Sequence, residues 1–175
     1  GLFLTPFIIS HVGKTGYGIW TLVGSVVGYY GLLNLGVPAA IHRYVARYSA
    51  KGDVKSLNRV VNTALVIFLT TALIVILLTV IFAGTITIFF NIPPENYNTF
   101  KHLLYMLGGA VAITFPAEVF GAVVVAREHF VPFNLFTSCN RIIYAISIVI
   151  FLSSGLGLTG IGLAQLLMAG ILLSG

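Results

Sequence analysis

Two charged residues, Glu118 and Arg141, interrupt long apolar stretches of the sequence. Each lies about eight or nine residues from the nearest end of its stretch, which places it on the order of 12 to 14 Å deep in a membrane at about 1.5 Å per helical residue. A charge at that depth is costly, and it commonly faces a partner or a water-filled cavity. The two residues are therefore candidates either for an ion pair that fastens helices or for the lining of a transport path, with Asn34 and Asn140 as polar companions.

The spacing of Glu118 and Arg141 predicts how they meet. They are equally distant in sequence from the turn that joins the fourth and fifth predicted helices, so an antiparallel hairpin would place them at similar depth. A guanidinium group suits a phosphate because it donates two parallel hydrogen bonds. We expect Arg141 to bind a substrate phosphate through its guanidinium. Until then Glu118 pairs with Arg141, and the pair separates when substrate or a proton competes for one of its members.

Other motifs give little support to catalysis or to metal binding. Residues 155–160 match the dinucleotide pattern G-x-G-x-x-G, but no strand precedes them and no acidic residue follows, so a tight membrane turn is the better interpretation. Four histidines lie near predicted membrane boundaries, and none is four residues from another; they are His11, His42, His102 and His129. We expect no metal, no cofactor and no enzymatic activity.

Five basic residues recur every four positions at the end of the second apolar segment: Arg43, Arg47, Lys51, Lys55 and Arg59. They either set the topology or contact lipid head groups or a pyrophosphate. With Arg127 they make six basic residues on one side of the membrane, whereas Lys14 and Lys101 make two on the other. This asymmetry predicts that the loop 42–59 is cytoplasmic.

The composition excludes a soluble domain. Of 175 residues 58% are hydrophobic and 7% are charged, and the mean hydropathy is +1.06. The stretches without charge exceed the roughly 20 residues that a helix needs to span a bilayer. Because the protein spans a membrane, its formal charge of +5 reflects topology and does not point to nucleic acid. The single cysteine, Cys139, has no partner for a disulfide.

These patterns predict an all-α, polytopic transmembrane bundle of about six helices, of which the first and last are truncated. The helices are expected at 1–11, 17–40, 60–90, 100–126, 133–152 and 159–175, and the chain is interpreted as an internal fragment of a longer protein. The pair Gly24-x-x-x-Gly28 predicts a close approach of a neighbouring helix. Hinges that move during transport are the alternative role for helix-breaking residues. The hinge candidates are Gly36, Pro38 and Pro116.

Several short motifs resemble the start of the polysaccharide biosynthesis flippases, which are O-antigen and teichoic-type exporters of the multidrug/oligosaccharidyl-lipid/polysaccharide superfamily. The motifs are Pro6-Phe7-Ile8-Ile9, Gly13, Tyr17-Gly18-Ile19-Trp20, Leu32-Leu33-Asn34-Leu35-Gly36, Ala40, Arg43-Tyr44-Val45-Ala46 and Gly52-Asp53. Further matches are Arg127-Glu128 followed by Asn134, and the Gly155 to Gly162 turn. The resemblance covers most of the chain and is strongest from Pro6 to Asp53.

The resemblance implies a protein of 12 to 14 helices in two bundles that enclose a cavity, with this chain as most of the first bundle. The implied substrate is an oligosaccharide linked to polyprenyl pyrophosphate, moved to the outer leaflet for polysaccharide or lipopolysaccharide biosynthesis. Implied partners are the lipid bilayer, a polysaccharide polymerase and glycosyltransferases. Asn34 departs from the family pattern, in which Asp is frequent, so a proton- or cation-coupling role does not transfer to it. A multidrug or metabolite exporter of the same superfamily and a non-transporting membrane scaffold are the alternatives.

Overall fold

The computed structural model describes residues 4–34, 36–89, 92, 94–126 and 130–174. These residues form six α-helices: α1 Leu4–Tyr30, α2 Val37–Ala50, α3 Val54–Phe89, α4 Tyr97–Ala126, α5 Phe130–Ser153 and α6 Gly157–Ser174. Short 3-10 turns, Gly31–Asn34 and Pro94–Asn96, precede α2 and α4. The predicted fold class, an all-α polytopic membrane helix bundle, is confirmed.

Four segments are long and apolar enough to cross a membrane: Thr5–Ala50, Val54–Thr85, Pro94–Val125 and Phe133–Ser153. The remaining helix, α6, is apolar but shorter. At about 1.5 Å per residue, the 36 residues of α3 extend roughly 54 Å, well beyond a hydrocarbon core of about 30 Å. We expect the first turns of α3, which carry Lys55 and Arg59, to lie outside the hydrocarbon.

The first half of the chain is divided differently from the predicted helices 1–11 and 17–40. Instead of a turn at residues 13–16, α1 continues through a kink at Gly13, whose φ of +72° favours glycine. The helix then ends before the 3-10 turn Gly31–Asn34, because Gly36 has a φ of +72° and Pro38 starts a new helix. The predicted helix 17–40 passes through this break, although it contains the predicted hinge candidates Gly36 and Pro38.

The predicted loop 42–59 is mostly helical. It comprises the second half of α2, a turn at Lys51–Asp53 and the start of α3. Helix α2 forms because its apolar residues Ile41 and Val45, four positions apart, are both buried against the bundle while charged residues face outward. The other helices lie near their predicted ranges, and each begins two to six residues earlier than expected.

Helix α4 is the centre of the bundle and packs against α1, α2, α3 and α6. Its buried residues, among them Leu103, Leu104, Ala110 and Val119, cover more than half of the helix circumference, and the remaining face carries the exposed Tyr105 and Phe120. In contrast, α3 buries one stripe and leaves most other apolar side chains exposed, as expected for a helix at the periphery. The core therefore lies around α4.

Candidate functional site

Glu118 is held by Asn34, which lies 84 positions away in the sequence. The Asn34 Nδ2 donates a hydrogen bond of 3.1 Å to Glu118 Oε2, and both residues are half-buried. Asn34 reaches α4 because the 3-10 turn after α1 interrupts the helix at this point. Within the described part of the chain, the buried Asn34 Oδ1 has no hydrogen-bond partner.

Glu118 lies in the wall of a cavity of about 600 Å³, which we call the α4 pocket. Residues of α2, α4, α5 and α6 line it: Pro38, His42, Thr114, Ala117, Glu118, Phe120, Gly121, Ala122, Val124, Val125, Phe133, Asn134, Phe136 and Leu172. Most of this surface is apolar. Polar groups are contributed by His42, Thr114, Glu118 and Asn134, so the pocket combines an apolar wall with a few hydrogen-bonding groups.

The expected ion pair between Glu118 and Arg141 does not form in the described structure, where the hydrogen-bond partner of Glu118 is Asn34. The reason is helix packing: α6 packs against both α4 and α5, and these two contact each other only sparsely, as where Gly121 approaches Phe133. The hairpin geometry assumed from the sequence is therefore wrong, although both residues lie in long apolar helices.

Arg141 is exposed and lies at the middle of α5, with eleven residues before it and twelve after it in the helix. It is seven positions from Asn134, which is two helical turns and nearly the same face. Because Asn134 lines the α4 pocket, Arg141 lies on the continuation of that face deeper into the membrane. The guanidinium forms no salt bridge within residues 4–34, 36–89, 94–126 and 130–174.

Asn140 has a different role from its neighbour Arg141. Only 1% of Asn140 is exposed, and its Nδ2 donates a hydrogen bond of 3.1 Å to the backbone carbonyl oxygen of Met168 in α6. The position therefore fastens α5 to α6 and does not line the pocket. Within the described chain, the buried Asn140 Oδ1 has no hydrogen-bond partner.

The basic residues lie on both sides of the α2–α3 turn. All five, Arg43, Arg47, Lys51, Lys55 and Arg59, are exposed, and none lines the α4 pocket. In the turn, Asp53 Oδ1 accepts a 3.0 Å hydrogen bond from the Ser56 backbone N–H and so caps α3. Hydrogen bonds from Ser56 are the main reason that the pKa of Asp53 is below its usual value.

The hinge candidates flank the pocket. Gly36 precedes α2, Pro38 lies in the first turn of α2 and lines the pocket, and Pro116 lies inside α4 between the lining residues Thr114 and Ala117. Their motion stays a prediction. The expected close packing at Gly24 and Gly28 is absent from the described structure, because a Cβ on either glycine would meet nothing within 4 Å.

Sequence reasoning missed three features of the site. His42 was interpreted as an interfacial histidine, and Thr114 and the Asn34–Glu118 contact were not identified. A usable signal for the contact is the run Gly31 to Gly36, since a broken membrane helix exposes polar backbone that favours a site. Another predicted segment, Arg127 to His129, lies outside the described residues.

Comparisons with known proteins identify the family. The MatE family model matches residues 2–139, more than three quarters of the chain. Comparison with curated proteins and with solved structures gives no match. The matched range contains α1 to α4, the Asn34–Glu118 contact and most of the α4 pocket. Members of this family are membrane transporters and not enzymes, in agreement with the apolar helices. The chain belongs to the MatE family, in the multidrug/oligosaccharidyl-lipid/polysaccharide superfamily of membrane transporters.

Proposed function

We propose that the chain is part of a flippase that moves a polyprenyl-pyrophosphate-linked oligosaccharide from the cytoplasmic to the outer leaflet for polysaccharide biosynthesis. The observation that carries the proposal is Arg141, an exposed guanidinium at the middle of the apolar helix α5. Exposure of this group to lipid would be costly, so its face needs an anionic ligand or a water-filled cavity. A pyrophosphate is a suitable ligand, because a guanidinium binds phosphate groups through paired charge-assisted hydrogen bonds.

The α4 pocket supplies contacts that suit the sugar part of this substrate. Sugar hydroxyls donate hydrogen bonds to the Glu118 carboxylate, and the Asn134 amide and Thr114 hydroxyl offer further polar partners. The apolar wall excludes water without competing for these groups. The polyprenyl tail stays in the lipid, where its apolar chain already avoids water.

In the whole protein we propose that a second bundle covers the faces of α1 and α5 that are open here. The two bundles would enclose the cavity and alternate between the two sides of the membrane, with Gly36, Pro38 and Pro116 as the bending positions. Glycosyltransferases would supply the substrate and a polysaccharide polymerase would consume it. The protein would lie in the plasma (inner) membrane.

The proposed orientation places the α2–α3 turn in the cytoplasm and Asn96 outside. Single-cysteine labelling of the whole protein, with Cys139 replaced by Ala, tests this orientation. An impermeant maleimide added to intact cells should label a cysteine at position 96 and leave one at position 52 unlabelled. The reverse pattern would contradict the orientation.

Export of a lipophilic cation is the second candidate. It is favoured by Glu118, the only acidic side chain among the described residues that line the α4 pocket. A carboxylate in an apolar cavity attracts a cation, and an aromatic wall with Phe120, Phe133 and Phe136 adds contact area.

Reconstitution of the whole protein in vesicles separates the two candidates. One vesicle set carries a polyprenyl-pyrophosphate-linked oligosaccharide, and flipping is measured as the rate at which impermeant periodate oxidises the sugars. A second set is tested for uptake of ethidium. Flipping without ethidium uptake supports the flippase. Ethidium uptake that Glu118→Gln abolishes, without flipping, would establish the exporter instead.

A further inference from the structure

A second groove lies between α2 and α3, on a different face of α2 from the one that lines the α4 pocket. We call it the α2–α3 groove; it has a volume of about 320 Å³. On α2 the pocket contacts Pro38 and His42, whereas the groove contacts Val37, Ile41, Tyr44 and Tyr48. Because positions 42 and 44 are 200° apart on a helix, at 100° per residue, the two cavities open in different directions.

The groove has a charged end and an apolar end. Arg59 and Tyr48 lie near the α2–α3 turn, whereas Val37 and Ile67 are each fifteen residues from Gly52, at the far end. Between Arg59 and Ile67 the groove extends roughly 12 Å at about 1.5 Å per residue. Its remaining wall is almost entirely apolar, with Val60 and Ala64 from α3.

The surroundings of the charged end are strongly basic. Residues 43–59 contain five basic side chains and one acidic side chain, Asp53, whose carboxylate already caps α3. No salt bridge engages the five basic groups in the part of the chain that the structure describes. Tyr44 and Tyr48 stack with ring centroids 6.4 Å apart, and the Arg47 guanidinium lies 6.0 Å from the Tyr48 ring. Tyrosine beside arginine is typical of the level at which lipid head groups lie.

From this arrangement we infer that the α2–α3 groove binds an anionic phospholipid from the leaflet on the side of the α2–α3 turn. One acyl chain lies along the apolar groove between α2 and α3. The phosphate lies at Arg59, within the field of the other basic residues. Charge complementarity selects an anionic lipid over a zwitterionic one, since the ammonium group of a zwitterionic head would meet the same basic cluster. This site is separate from the transported substrate, and its existence does not depend on the proposed flippase function.

A lipid wedged between α2 and α3 has a mechanical consequence for transport. The groove contains α2 residues that follow Gly36, the proposed bending position before α2. An occupied groove ties α2 to α3 through the bound acyl chain. We therefore expect the bound lipid to stabilise the protein and to favour the conformation in which these helices are packed as described.

Thermal unfolding of the whole purified protein in detergent tests the site with three stated probes: phosphatidylglycerol, phosphatidylcholine and glycerol 3-phosphate. Phosphatidylglycerol should raise the Tm, and the other two should raise it by less than half as much. Arg59→Gln should remove at least half of the shift caused by phosphatidylglycerol. Its control is Lys14→Gln, an exposed basic residue in α1 with the same charge change, which should keep the full shift.

A second pair of variants tests the acyl chain. Ala40→Phe fills the groove, whereas Ala39→Phe adds the same group to a neighbouring exposed position that does not line it. Ala40→Phe should lose the shift and Ala39→Phe should keep it. Equal shifts from phosphatidylglycerol and phosphatidylcholine, or an unchanged shift in Arg59→Gln, would overturn the site. A shift from undecaprenyl phosphate without one from phosphatidylglycerol would also overturn it, by assigning the groove to a polyprenyl lipid.

Discussion

The surroundings of α4 differ from the outward faces of α1 and α5 in how closely their glycines and charged side chains are contacted by neighbouring residues. On α4, a Cβ on Gly108 would overlap the side chain of Thr79, and Glu118 accepts a hydrogen bond from Asn34. On the outward faces, Gly24 and Gly28 meet no neighbour and Arg141 is exposed, within the described residues. The bundle is therefore packed around α4, whereas the outward faces retain small and charged groups that suit a partner surface or a substrate.

The largest difference in stability is expected between substitutions of two glycines, one packed against a neighbour and one not. Gly108→Val should destabilise the protein by about 3 kcal/mol, because the first added carbon already overlaps the Thr79 side chain. Gly24→Ala should be neutral or slightly stabilising, since alanine favours helix and nothing lies within 4 Å of its Cβ. Both are measured as the free energy of unfolding of the whole protein. Equal effects would show that the α1 face is packed as tightly as α4.

A smaller effect is expected from the hydrogen bond between the 3-10 turn and α4. Asn34→Ala removes the donor to Glu118 and should cost about 1.5 kcal/mol, because a hydrogen bond to a charged group contributes about 1.5 to 3 kcal/mol. A matched control is Asn62→Ala, an exposed amide in α3 that should change stability by less than about 0.5 kcal/mol. The measurement is the free energy of unfolding of both variants relative to wild type. An unchanged free energy of unfolding in Asn34→Ala would contradict the assigned contact.

A related comparison concerns Asn140, whose side chain joins α5 to α6. Asn140→Ala should cost about 1 kcal/mol, the contribution of one neutral hydrogen bond, and should leave substrate transport almost unchanged relative to wild type. Ser138→Ala, at an exposed position on the same helix, is the control. Loss of transport with normal stability in Asn140→Ala would instead place this residue in the transport path.

The smallest effect is expected at the α2–α3 turn. Hydrogen bonds from Ser56 lower the pKa of Asp53, so its contribution to stability is present above the ordinary Asp pKa and is lost as the pH falls through the lowered folded value. Asp53→Ala should therefore be slightly less stable than wild type at neutral pH, and the difference should shrink in acid. Asp53→Asn keeps the cap and should show a weaker pH dependence. A difference that grows in acid would refute this role.

The sequence predicted the fold class because membrane helices are recognised as long apolar stretches without charge. It did not predict which helices are neighbours. The insertion of α6 against both α4 and α5 removed the expected Glu118–Arg141 pair, and no periodicity in either helix signals that order. The break between α1 and α2 lies inside the predicted helix 17–40, which was predicted from the absence of charge between Lys14 and Arg43 and not from the glycines at 31 and 36.

The candidate site was predicted in part. Glu118 and Asn34 were selected as rare polar groups in apolar segments, and the structure brings them together. Asn140 was selected for the same reason, but its side chain fastens two helices. Polarity in a membrane helix therefore marks a position that needs a partner. Whether that partner is a helix or a substrate depends on the packing around it.

We expect Arg141 to bind the pyrophosphate of the transported lipid, a claim that the flipping rates of Arg141 variants test. The whole protein is reconstituted in vesicles as wild type, Arg141→Ala, Arg141→Lys and, as a control at a neighbouring exposed position, Ile142→Ala. Arg141→Ala should flip the lipid-linked oligosaccharide at least about tenfold more slowly, the effect of losing about 1.4 kcal/mol of binding. Arg141→Lys should be intermediate, and Ile142→Ala should match wild type. Wild-type flipping by correctly inserted Arg141→Ala would contradict the claim.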